Sequence, residues 1–188
     1  SNFNTSNVTN MGNMFSGCNY LETVDLSNFN TAKVTQMHNM FHNCWRLTSL
    51  NLSSFDTSNV TTMLNMFGSC NKLMHLDIRN FNFNSGKLVT SSGMFTKVPT
   101  DCEIIVKGDT EKQYINEKFP ELTNVKTVAE YEAYRQSFEY NLKNKILPFS
   151  IAGIFALAFC ILIGFLTARF VVRPVKANML YKEGYTLI

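Results

Sequence analysis

Leu47-Thr-Ser-Leu-Asn-Leu-Ser-Ser-Phe-Asp-Thr-Ser-Asn-Val-Thr-Thr-Met-Leu-Asn-Met-Phe-Gly-Ser-Cys70 is one full unit of a pattern written four times in the first hundred residues. Phe3, Phe29, Phe55 and Phe81 recur at a spacing of about 26 residues, the signature of a repeat array. The apolar letters return in register: Val8, Val34 and Val60; Met11, Met37 and Met63; Phe15, Phe41 and Phe67; Cys18, Cys44 and Cys70; Leu26, Leu52 and Ile78. A unit this short cannot bury its own apolar side, so the units must stack on one another.

Val34, Met37, Phe41 and Cys44 stand at i, i+3, i+7 and i+10, one stripe of a helix. Leu47, Leu50 and Leu52 lie in a short run whose outward letters are Thr48, Ser49 and Asn51, which reads as a strand. The expected unit is helix, short turn, strand. The pairs Asn4-Thr5, Asn30-Thr31 and Asp56-Thr57 precede the helical stripe and are expected to cap it. Stacked in parallel, the strands form one sheet with a rise of about 4.8 Å per repeat.

The repeat, in the form quoted above, resembles the BspA-like leucine-rich repeat family of cell-surface proteins. The resemblance covers residues 1–95 and implies a surface-exposed recognition or adhesion module built of strand-helix repeats. The fourth unit departs from the pattern: Phe83 stands in the slot of Thr57, two residues are added over 84–90, and Gly93-Met94-Phe95 restores the signature. A terminal repeat is expected to be atypical.

Charge crowds into residues 101–145, where Cys102-Glu-Ile-Ile-Val-Lys107 reads as a strand, Asp109 to Phe119 as a helix stopped by Pro120, and Val125 to Val128 as a closing strand. Residues 96–128 are thus expected to cap the last repeat. Tyr131, Tyr134, Phe138 and Leu142 form an amphipathic stripe that predicts a juxtamembrane helix over 129–145. Residues 146–168 are uncharged, mostly apolar and long enough to cross a bilayer as a helix. Arg169, Arg173, Lys176 and Lys182 follow, so 169–188 is expected to be a cytoplasmic tail, with the repeats outside the cell. The fold expected is α/β: a strand-helix leucine-rich-repeat solenoid, a C-terminal α/β cap, a helical stalk and one transmembrane helix. Ala152, Ala156, Cys160, Gly164 and Ala168 fall four residues apart, a ridge on which another transmembrane helix or a second copy could pack within the lipid bilayer.

Residues 1–145 carry 13 basic and 13 acidic side chains, so electrostatic steering is not the expected mode of binding. No basic stripe with interleaved aromatics runs through the repeats, which argues against nucleic acid. Cys18, Cys44 and Cys70 share one slot and read as a ladder of buried thiols rather than disulfides or metal ligands. His38 and His42 have the i, i+4 spacing of a zinc pair, but their slots hold Gly12 and Ser16 in one copy and Leu64 and Gly68 in another. They are therefore expected on the surface, and no metal or cofactor is expected. No phosphate loop, nucleophile elbow or catalytic constellation stands in the sequence, so no enzyme is expected.

Binding is the default use of an open solenoid surface. The outward strand letters, Thr23, Asp25, Ser49, Asn51, His75 and Asp77, vary while the core repeats, and they form the candidate face for an extracellular protein or glycan. The chain opens mid-array without Met, which predicts further repeats, and a secretion signal or an earlier span, ahead of Ser1. The function expected is a membrane-anchored cell-surface recognition or adhesion module. The alternative is the extracellular domain and one span of a larger transporter subunit or sensor.

Overall fold

Backbone hydrogen bonds in the repeats run between copies. Phe41 N–H donates to the Met66 carbonyl at 2.9 Å, Asn39 N–H to that of Leu64 at 2.8 Å, and Met37 N–H to that of Thr62 at 3.0 Å. An α-helix would send each to the residue four earlier. The computed structural model describes residues 3–143, and the segment 34–44 within it is a run of turns.

Two left-handed corners per copy exclude the helix. Asn13, Asn39 and Asn65 take φ of 60°, 53° and 51°, with Gly93 at 65° in the fourth copy. Gly17, Asn43, Ser69 and Lys97 take 74°, 61°, 62° and 62° at the second corner. Asn and Gly tolerate this region best, which accounts for the constant Asn two residues ahead of Phe15, Phe41 and Phe67. The apolar stripe is buried all the same, with Val34, Met37, Phe41 and Cys44 fully enclosed. Three-residue turns, in which Met40 N–H meets the Met37 carbonyl, Cys44 that of Phe41 and Leu47 that of Cys44, bend the chain every three or four residues. Such corners reproduce a helical period without forming a helix.

The strand-helix leucine-rich-repeat expectation is therefore corrected. The described residues form a small α/β domain with one parallel sheet of four strands and two helices, and both of these helices follow the repeats. The strands are β1 (Ser49–Asn51), β2 (His75–Asp77), β3 (Glu103–Val106) and β4 (Val125–Thr127), adjacent in chain order. Their register pairs Ser49 with His75, His75 with Glu103, and Ile105 with Lys126. No strand of the sheet lies at Thr23–Asp25, although Thr48 N–H donates to the Glu22 carbonyl at 3.1 Å. A second row of parallel bridges joins Asn10, Gln36, Thr62 and Thr90.

Between the two rows the copies stack side chain on side chain. The rings of Phe15, Phe41, Phe67 and Phe95 follow one another at 5.3, 5.9 and 5.6 Å between centroids. Cys44 Sγ donates to the Phe15 carbonyl at 3.1 Å and Cys70 Sγ to that of Phe41 at 3.2 Å. Burial pushes the Cys44 thiol up to about 11 and those of Cys70 and Cys102 up to about 12, so these groups stay protonated. The Asn-Thr and Asp-Thr pairs do not cap helices. Asn4, Asn30 and Asp56 accept the backbone N–H two residues on, closing a local turn. The neighbouring threonines staple copies together: buried Thr31 Oγ1 accepts Asp56 N–H at 2.8 Å and donates to its carbonyl at 3.0 Å.

Beyond the repeats, β3, α1 (Asp109–Lys118) and β4 form a parallel crossover that extends the sheet. α1 ends at Lys118 and is capped by Phe119, just before Pro120, which lacks the N–H that would continue the helix. α2 (Val128–Asn141) starts from a capping box, in which Thr127 N–H donates to Glu130 Oε2 at 2.8 Å and Glu130 N–H to Thr127 Oγ1 at 3.2 Å. The chain divides into units Ser1–Tyr134 and Arg135–Ile188; in the described part of the second, Arg135 pairs with Glu139 at 3.1 Å.

Among the described residues no helix is long and apolar enough to cross a membrane. α2 has 14 residues where a span needs about 20, and it is rich in charge. The expected span at 146–168, its ridge of Ala152, Ala156, Cys160, Gly164 and Ala168, and the tail at 169–188 lie outside the described residues. The transmembrane assignment and the cell-membrane location drawn from it are accordingly withdrawn.

Candidate functional site

Alternation along each short strand sends Leu50, Leu76 and Ile104 into the core and leaves Ser49, Asn51, His75, Asp77, Glu103 and Lys126 on the opposite face. At the N-terminal end this face is open: Thr23, Asp25 and Asn51 are exposed and Ser49 is half-buried. Toward β3 it closes. His75 is half-buried, Asp77 is 4% exposed, and Ile105 is fully buried although it lies outside the inner core.

Tyr131 and Tyr134, on the first turns of α2, lie over that closed end. The Tyr131 ring stands 6.0 Å from that of His75, and Lys126 Nζ sits 4.4 Å from the centroid of Tyr134. Below them a polar relay crosses three strands: His75 Nδ1 meets Glu103 Oε2 at 2.9 Å, and Lys126 Nζ donates to Glu103 Oε1 at 2.7 Å. Burial raises the pKa of the Glu103 carboxyl, but the hydrogen bonds from Lys126 and His75 outweigh it and hold the group below its usual value. Arg79 Nη2 donates to Asp77 Oδ2 at 2.7 Å and Nε to both carboxylate oxygens at 3.0 Å. That pairing holds the guanidinium above its ordinary pKa.

Of the six residues expected to form a binding face, Ser49, Asn51, His75 and Asp77 lie on the sheet, whereas Thr23 and Asp25 lie ahead of its first strand, and the six do different work. Asp25, Asn51 and Asp77 each accept the backbone N–H two residues on, from Ser27, Ser53 and Arg79, and close the turn that follows the strand. Thr23 and Ser49 make no such turn and face outward. Glu103 and Lys126 were missed by the sequence reading because they lie beyond the repeats; the alternation of Glu103 with Ile104 is the signal that points to the first of them.

A ridge of exposed side chains runs alongside, just ahead of the strands. Tyr20 is 84% exposed, Trp45 49% and Met74 70%, and Arg46 pairs with Glu22 at 2.5 Å. His38 and His42 do not stand apart on the surface as expected. His38 packs against Gly12, with Nε2 3.3 Å from Asn13 Nδ2, and His42 is half-buried against Gly68 with a buried Nδ1 that has no partner. Each imidazole fills the space left by a glycine in the adjacent copy. Among the described residues, no group of three or more His, Cys, Asp or Glu side chains is placed to hold a metal ion.

Stacked copies with a constant interior and a varied exterior define a repeat protein. The chain belongs to the family described as Mycoplasma protein of unknown function, DUF285, whose model matches residues 1–105. No curated protein and no solved structure matches it.

Proposed function

We propose that the chain is a recognition module of the BspA-like surface-repeat kind, which binds a protein or glycan through the open end of its outer sheet face and the adjoining ridge. It works by surface complementarity rather than catalysis. One observation carries this reading: slots held constant inside the stack are free outside it. Glu22, Thr48 and Met74 share a backbone position, as do Thr23, Ser49 and His75, and Tyr20, Arg46 and Lys72. An exterior that varies over a fixed scaffold lets ligand specificity change at little cost to the core. Exposed Tyr20 and Trp45 supply the flat amphipathic surface that both sugars and protein partners use.

The test is a screen of the full chain against a glycan array and a panel of purified extracellular proteins. It is repeated with Tyr20→Ala, Trp45→Ala and Ser49→Lys. A ligand lost by these variants while their melting temperatures stay unchanged supports the reading. A ligand retained equally by all three places recognition elsewhere.

A further inference from the structure

At each junction between copies, the same three hydrogen bonds join the row opposite the sheet. From the first copy to the second, Thr35 N–H donates to the Thr9 carbonyl, and Met11 and Asn13 N–H donate to those of Gln36 and His38, at 2.8, 2.9 and 2.9 Å. The next junction repeats them with Thr61 to Thr35, Met37 to Thr62 and Asn39 to Leu64. The third does so with Val89 to Thr61, Met63 to Thr90 and Asn65 to Ser92. In the fourth copy the corresponding atoms are the Val89 carbonyl and the Ser91 and Gly93 N–H groups. Among the described residues none of the three has a hydrogen-bond partner.

Val89 is exposed and Gly93 half-buried, while Ser91 is 8% exposed but still lines an open groove. Residues 88–93 form one wall of a cavity of about 400 Å³ whose other wall is α1 and its end, Tyr114, Lys118 and Phe119. Ser91 Oγ and Tyr114 Oη, 2.8 Å apart, mark where the walls meet. The crossover to β4 continues the sheet row but leaves this second row unfinished. Such an edge is a template for an incoming extended chain.

We propose that this groove binds a short extended peptide of a partner protein, in parallel with residues 89–93, and that the peptide carries a carboxylate to meet Lys118. Its backbone takes the place of a fifth copy. One N–H donates to the Val89 carbonyl, the next residue's carbonyl accepts Ser91 N–H, and the carbonyl two further on accepts Gly93 N–H. The acidic preference follows from Lys118, an exposed cation on the groove wall that no carboxylate pairs with among the described residues. This edge is separate from the outer sheet face, so the two binding readings stand or fall independently.

The probe is a synthetic peptide of residues 59–65 with Leu64→Asp, titrated into the isotope-labelled full chain. The amide signals of Ser91 and Gly93 should shift and saturate. Methylating the peptide nitrogen at Thr61, which removes the donor for Val89, should weaken binding roughly five-fold or more. Lys118→Glu should weaken the acidic peptide more than the parent Leu64 peptide. Before peptide is added, the Ser91 and Gly93 amides should exchange rapidly with solvent at every protein concentration. Slow exchange at all concentrations would mean that a segment of the chain itself fills the groove, and slow exchange only at high concentration would mean that a second copy does. Either result overturns the proposal, as does a titration that leaves both amides unmoved or is indifferent to N-methylation.

Discussion

Phe41→Ala should be among the costliest single changes in the array, and the structure says by how much it should exceed its neighbour. Phe41 is fully buried and stacked on both sides, on Phe15 at 5.3 Å with planes 7° apart and on Phe67 at 5.9 Å with planes 13° apart. Truncating a core Phe costs about 3–5 kcal/mol, and each lost ring pair adds about 0.5–1.5 kcal/mol beyond burial. The two figures overlap in part, which puts Phe41→Ala at about 4–6 kcal/mol. Phe15 is half-buried and stacked on one side only, so its truncation should cost about half as much. Urea unfolding followed by the fluorescence of Trp45, the sole tryptophan and one residue past Cys44 in the same copy, reads both variants. Equal costs, or a Phe41→Ala loss under about 1 kcal/mol, would refute the continuous ring stack.

Thr31→Val keeps the shape of the staple but strands Asp56 N–H, so it should destabilise by about 1–3 kcal/mol in the same urea assay. Gly68→Ala drives a methyl to 2.8 Å from His42 Nδ1, and the loss of about 1 kcal/mol expected should largely vanish when His42→Ala is added, as a double-mutant cycle would report. Glu103 and Glu130 lie below their ordinary value of 4.5, and Asp25 and Asp56 below theirs of 3.8. Depressed carboxylates contribute stability above their unfolded pKa and lose it as pH falls through the folded one, so the urea midpoint should hold down to pH 4.5 and drop steadily below pH 3.8. A flat midpoint across that range would contradict the pairing of these groups.

Period and register were determined by the sequence alone. Identical letters every 26 residues require stacked copies whatever the backbone does, and Met37, Phe41, Leu50 and Leu52 are buried where their recurrence places them. The strand at Glu103–Val106 and the helix from Asp109 lie where local pattern and Pro120 predict them, because those signals act within a few residues. The conformation of residues 34–44 was not legible in the same way. A three-to-four-residue spacing of apolar letters is common to an α-helix and to a coil of tight corners, and what separates them is where the N–H groups find acceptors. Here the acceptors belong to the next copy, 25 residues away for Met37, Asn39 and Phe41, and no window of local sequence contains them. The constant Asn at positions 13, 39 and 65 was a local sign of a left-handed corner.

The outer face divides along the same line. Alternation placed Ser49 and His75 on one side of the sheet. Only the arrival of Tyr131 and Tyr134 from α2 decided that the end nearest β3 is covered and the other open. Exposure is a property of what packs against a residue, and for His75 the covering ring of Tyr131 lies more than 50 residues further along the chain.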